Sequence, residues 1–204
     1  MNITKLFEAQ AELDARITEQ HPVKIGEGRL TKKVLALQVE LGELANEWRG
    51  FKFWSTNNQP RTTLACEICR GRGGHYNTYD DAKNKTNKVS CKYCDGTGAQ
   101  EGINPLLEEY VDCLHFIISL GLDLDADPKD LFIAPSAGSI STETFLSMMN
   151  DVLTLDLKRS LSHYQYTFTR ITELGLGLGF TPDVIEQAYY SKNEINHQRQ
   201  ETNY

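Results

Sequence analysis

Apolar residues recur along this chain at the three- and four-residue spacing of helices. Between residues 2 and 20 they fall at Ile3, Leu6, Phe7, Leu13 and Ile17, one stripe of a helix. From 30 to 49, Leu37, Leu41, Leu44 and Trp48 follow at intervals of four, three and four, with Thr31 near the start. A third helix is expected from about Asn104 in "NPLLEEYVDCLHFIISLGL", where Pro105 suits the first turn and Gly121 the end. Past a loop rich in Asp, Pro, Gly and Ser, "DLDADPKDLFIAPSAGSIST", one long helical stretch is expected from 142 to 174. A last helix is expected over Pro182 to Gln200, with Thr181 as its N-cap. No segment outside residues 60–102 alternates as a strand does. The pattern predicts an all-α helical bundle.

Residues 60–102 break that pattern. They hold Cys66-x2-Cys69 and Cys91-x2-Cys94, with 21 residues between the pairs, glycines just after each pair, and no helical stripe. Two thiolates three apart on a tight turn form half of a tetrahedral zinc shell, so the spacing reads as a Zn²⁺ site. A redox CxxC pair and reduced free thiols are the alternatives. His75 follows closely, but four cysteines already fill the shell. Both halves read C-x-x-C-x-G-x-G, and they resemble the cysteine-rich repeats of DnaJ-type zinc domains. The expected organisation is one helical domain, 1–59 and 103–204, with a zinc-binding insert at 60–102 held together chiefly by its metal.

Composition narrows the function classes. Of 204 residues, 40% are hydrophobic and 24% charged, with 15 Gly and 6 Pro, which fits a folded globular chain. No run of 18 apolar residues occurs and the N-terminus is an amphipathic helix pattern, so no membrane association and a cytoplasmic location are expected. The net charge of -7 argues against nonspecific nucleic-acid binding as the main task. The insert differs, with seven Lys or Arg against five Asp or Glu. Its Arg61, Arg70, Arg72, Lys83, Lys85, Lys88 and Lys92 leave a nucleic-acid or protein partner open, beside bracing of the fold or a lid.

The acids are unevenly placed. "VELGELANEWR" sets Glu40, Glu43 and Glu47 on one stripe, and "LEEYVDCLHF" sets Glu109 and Asp112 three apart on another helix. Neither Glu40 nor Glu43 has a Lys or Arg four residues on, and apolar neighbours leave little room for a wide polar face. Solvated helix faces are the plain explanation. If Glu40, Glu43, Glu109 and Asp112 converge unpaired, they require cations, and hard oxygen donors without His or Cys point to Mg²⁺ or Mn²⁺. In the last helix Lys192, Asn196 and Arg199 share one face, suited to a polyphosphate or equally to solvent. Cys113 sits among apolar residues as core, not as a nucleophile.

The order "LFEAQAELD", "ALQVELGELANEWRGFKFW", "LEEYVDCLHFIISLGL" and "YYSKNEINHQRQETNY" resembles the dimeric all-α dUTP diphosphatases, relatives of MazG-like nucleotide pyrophosphatases. The likeness leaves the zinc insert aside. It implies Mg²⁺-dependent hydrolysis of dUTP to dUMP and pyrophosphate in a homodimer whose sites use both protomers. It implies that Glu40, Glu43, Glu109 and Asp112 are metal ligands, with Glu40 or Glu43 activating the water. It implies phosphate contacts from Lys192, Asn196 and Arg199, with Asn193 adding to them. Lys52 could meet a phosphate or simply lie along the surface. By the same resemblance Gln10 and Trp54 hold uracil, and His115 and Phe116 form the sugar pocket. The family often carries Asn where this chain has Asp14, which keeps dCTP or broader nucleotide specificity open. A non-catalytic zinc-module adaptor is the remaining reading.

Overall fold

The computed structural model describes residues 1–76 and 88–202. Six α-helices lie among them: α1 (Ile3–Gln20), α2 (Arg29–Trp48), α3 (Pro105–Asp123), α4 (Thr142–Lys158), α5 (Leu161–Gly177) and α6 (Pro182–Glu201). The expected all-α architecture is what the chain adopts. Each helix start has a local cause. The Asn2, Asn104, Ser141, Ser160 and Thr181 side chains accept from backbone N–H groups of the first turns of α1, α3, α4, α5 and α6. Thr31 lies inside α2, whose N-cap is Gly28, and donates its hydroxyl to Asp156 Oδ1 at 2.8 Å, tying α2 to α4.

Helix α3 is the centre of the bundle. It packs against α1, α2, α5 and α6, and most of its side chains are buried. Leu37, Leu41 and Leu44 of α2 meet Tyr110, Leu114, Ile117 and Ile118 of α3 in one core with Phe7, Tyr164, Phe168 and Tyr189. Fully burying each such aliphatic side chain contributes about 1.5–3 kcal/mol. Gly121 does not end α3, which runs on to Asp123. A Cβ at Gly121 would collide with the Tyr164 hydroxyl, so this glycine serves close packing.

The stretch from 142 to 174 is two helices. Arg159 adopts a left-handed conformation (φ 47°) and Ser160 caps α5. The break is held by one bond within α4 and one from outside it: the Arg159 guanidinium donates to Asp156 Oδ1 at 3.1 Å and to Thr31 Oγ1 of α2 at 3.4 Å. Phe145, Met148 and Leu155 of α4 are buried and Met149 partly so, while Leu153 and Leu157 stay exposed.

Between α2 and α3 the chain forms a small antiparallel pair, β1 (Gly74–Tyr76) and β2 (Lys88–Ser90), with His75 opposite Val89. The four cysteines form a buried cluster separate from the main core. Lys83 and Lys85 of the insert lie outside the described residues. Among the described residues no helix is long and apolar enough to cross a membrane.

Candidate active site

Helices α2 and α3 pack side by side, and their acidic stripes meet. Carboxylate oxygens of Glu40, Glu43 and Glu109 lie within 4.8 Å of one another. Among the described residues none donates a hydrogen bond to these three carboxylates. Burial pushes Glu40 up to about 7, with help from the charges of Asp112 and Glu43. Glu109 rises to about 7 for the same reasons: burial first, then Asp112, Glu43 and Glu40. Half-buried acids that raise one another have the character of a site waiting for positive charge.

Two acids of the sequence pattern behave differently from that trio. Asp112 has a partner: Lys192 of α6 donates to Asp112 Oδ2 at 2.7 Å and to Glu108 Oε1 at 3.0 Å. Burial still raises Asp112, against the pull of Lys192. Of the four acids, three thus lack a partner among the described residues, because α6 packs its buried lysine against α3. Glu47 leaves the stripe altogether, turning inward to pair with Arg61.

A cleft of about 520 Å³ opens beside the cluster, lined by residues that include Glu40 and Asp112, Gln10 and Asp14 of α1, His115 and Phe116 of α3, and Asn196 and Arg199 of α6. Arg29, Lys32 and Lys33 border it as well. Arg199 Nη1 donates to Asn196 Oδ1 at 3.4 Å. Trp54 and Lys52 are not in this lining. Trp54 is 65% exposed and makes edge contacts with Phe51 and Phe53, while Lys52 Nζ donates to the Asn46 side chain.

Along the cleft a hydrogen-bond chain fixes one amide. Gln10 Nε2 donates to Asp14 Oδ1 at 2.8 Å. Gln10 Oε1 accepts from the Tyr189 hydroxyl at 2.7 Å and lies 2.8 Å from His115 Nδ1. Since that oxygen only accepts, His115 carries its proton on Nδ1. Asp14 Oδ2 in turn accepts from Ser119 Oγ at 2.5 Å and Lys33 Nζ at 3.2 Å. Burial, with Lys192 nearby, holds His115 down to about 3, so the ring is neutral at pH 7. It stacks on Tyr189 with centroids 4.0 Å apart. His115 Nε2 and Asn193 Nδ2 are buried with no hydrogen-bond partner among the described residues.

Tyr189, Ser119, Lys33, Glu108 and Arg61 are the members that sequence patterning misses. Each acts through a partner on another helix or loop, and no spacing within one segment marks such a residue. Cys113 is buried, and burial raises its thiol well above the ordinary value, which suits a core position.

The cysteine cluster meets a simple geometric test. Four sulfurs about 2.3 Å from a tetrahedral zinc are separated by about 3.8 Å. Here Cys66 and Cys91 Sγ are 4.0 Å apart, and Cys69 and Cys94 Sγ 3.7 Å. The two halves repeat one turn: Cys66 N–H donates to Gly98 O at 2.8 Å, and Cys91 N–H to Gly73 O at 2.9 Å. Gly73 and Gly98 have φ of 67° and 80°, and a Cβ on either would strike the opposite half. His75 is exposed and outside the cluster. Cys66, Cys69, Cys91 and Cys94 could therefore hold one zinc ion.

A protein-family model described as dUTPase matches residues 2–69 and 84–204. The matched ranges take in all four cysteines of the insert, which the sequence pattern alone had set apart. No curated protein matches the chain.

Proposed function

The chain belongs to the dUTPase family, and from that premise we propose that it hydrolyses dUTP to dUMP and pyrophosphate in the cleft beside Glu40, Glu43, Glu109 and Asp112. The observation that carries this reading is the trio of carboxylates, drawn from two helices and without a hydrogen-bond donor among the described residues, with Glu40 lining a cleft that also holds Arg29, Lys32, Lys33 and Arg199 and the His115 and Phe116 rings. The donor set is all carboxylate oxygen, which suits Mg²⁺. When bound there, Mg²⁺ supplies Lewis acidity and a more acidic water.

The chain's own residues take the remaining roles. Glu40 or Glu43 orients the attacking water and accepts its proton. Lys192, Asn196 and Arg199 receive the phosphates, Asn196 and Arg199 from the lining of the cleft and Lys192 from its pairing with Asp112, which also lines it. Asn193 Nδ2 is a donor still to be used. His115 and Phe116 flank the sugar. Gln10 reads the base. Its oxygen is taken by two donors and one amide hydrogen by Asp14, so what it offers is the other amide hydrogen. A donor suits the carbonyl of uracil and opposes the amino group of cytosine. Asp14 thus acts by orienting Gln10, which supports dUTP over dCTP.

Lys52 and Trp54 enter through assembly in this proposal. The loop that carries them is exposed, and Leu35, Val39, Leu146, Leu153 and Leu157 leave an apolar surface on α2 and α4. A homodimer would cover that surface and bring the aromatic loop to a second copy. All five cysteines are unpaired, in keeping with the reducing cytoplasm.

The test is pyrophosphate release from dUTP, dCTP, dTTP and UTP, with Mg²⁺ and with chelator, for the wild type and Glu43→Gln. Mg²⁺-dependent cleavage of dUTP alone is expected, abolished in a Glu43→Gln protein of unchanged helicity. Preference for dCTP would overturn the base reading, and an active Glu43→Gln would overturn the site.

A further inference from the structure

The acidic stripe of α2 continues one turn beyond Glu43 to Glu47, and the fold treats that residue apart. Helix positions four apart have Cβ atoms about 6 Å from each other, so a free Glu47 carboxylate would border the cluster. Instead Glu47 is 5% exposed, and its two oxygens accept from Nε and Nη2 of Arg61. Arg61 arrives from the entry of the cysteine-bearing insert. Its backbone is tied on both sides: its N–H donates to Glu47 O at 2.9 Å, and its carbonyl accepts from Leu106 N–H, in the first turn of α3, at 3.2 Å. This residue therefore spans the end of α2 and the start of α3, the two helices that supply the carboxylates. Just beyond it the insert closes on itself, with Gln100 N–H donating to Leu64 O at 2.8 Å. Arg61 also lies in the field of Glu109.

We propose that Arg61 is a positioning residue for the cation site: it withdraws Glu47 from the stripe, so that the cluster offers a cation Glu40, Glu43, Glu109 and Asp112 and no fifth acid. The proposal rests on reading the cluster as a cation site, and it assigns the entry of the insert a part in that site. Its consequence has a sign. The Arg61–Glu47 pair is neutral as a unit, so loss of the arginine alone leaves a bare carboxylate one turn from Glu43. That charge attracts cations while offering them a misplaced ligand. Loss of the Glu47 charge alone leaves a bare guanidinium, which repels them.

The experiment is Mn²⁺ titration of the full chain by electron paramagnetic resonance, with thermal melts and dUTP kinetics alongside. In Arg61→Met, Mn²⁺ affinity is expected to rise about fivefold, the order of one added charge nearby, while kcat falls. In Glu47→Gln, affinity is expected to fall by a similar factor. The double variant Glu47→Gln/Arg61→Met returns to the wild-type affinity, and Arg61→Lys stays close to it. A purely structural pair would weaken binding in both single variants in step with their melting temperatures, and that result would overturn the proposal. Should Arg61→Met fail to fold, an unchanged affinity in Glu47→Gln overturns it equally. A wild type that binds no Mn²⁺ removes the cation site itself, whereas a wild type that binds, with no opposite shifts in the variants, removes only the role of Arg61.

Discussion

Glu40 and Glu109 are acids that the fold makes weaker, and the consequence can be measured. Both titrate at about 7 in the native state against 4.5 for a free side chain. An acid whose pKa is raised by folding holds its proton more tightly in the native state. Its favourable contribution is complete below the unfolded value and is lost as pH climbs from about 4.5 to about 7. A divalent cation binds the deprotonated form and offsets that loss. The increase in melting temperature on adding Mg²⁺ should therefore be larger at pH 8 than at pH 5. Equal increments at the two pH values would count against the carboxylates as the cation site. At this scale the sequence was readable for the acids themselves, because a three-residue spacing puts Glu40 beside Glu43 and Glu109 beside Asp112 on any helix. It was silent on their partners. Lys192 reaches Asp112 across 80 residues of chain and Arg61 takes Glu47 out of a stripe it shares with Glu43, and only packing decides both.

At the scale of elements, helix periodicity set the bounds to within a residue or two where a capping side chain agreed with it, as at Asn104 and Thr181. It failed between α4 and α5. No Gly or Pro interrupts "DLKRSLSH", and the left-handed Arg159 is stabilised by bonds to Asp156 and to Thr31 of α2. Gly121, expected at the end of α3, and Gly175 serve close packing instead. Gly121 and Gly175 stand within helices where a Cβ would run into Tyr164 and Tyr110 respectively. Gly175→Ala gains helix propensity but overpacks the centre of the bundle, so a loss of about 1–3 kcal/mol is expected from urea unfolding. A variant as stable as the wild type would mean that Tyr110 can yield.

For the whole molecule, the bundle has its own apolar core, and among the described residues the cysteine cluster has none beyond its sulfurs. The proposed zinc would hold such a unit together. Chelation of the reduced protein should release about one equivalent of zinc, the content of a four-cysteine site, and expose residues 61–102 to protease while far-ultraviolet circular dichroism keeps its helical signal. Joint collapse of insert and helices would show that the bundle relies on the insert for more than the contacts of Arg61.

What the sequence determined by itself was what repeats within a segment: the helical stripes, though not the break between α4 and α5, the paired acids, the twin C-x-x-C-x-G-x-G turns, and through the order of those blocks the family resemblance. Such features are local, because a helix or a knuckle fixes the relation of residues a few positions apart. The tertiary structure decided which acids stay without a partner among the described residues, that Asp14 accepts a hydrogen bond from Gln10, that Trp54 stands outside the cleft of its own chain, and that the insert touches the carboxylate helices through Arg61. Those outcomes depend on charge and hydrogen-bond partners brought together from distant segments, and burial multiplies their weight only once the helices have packed.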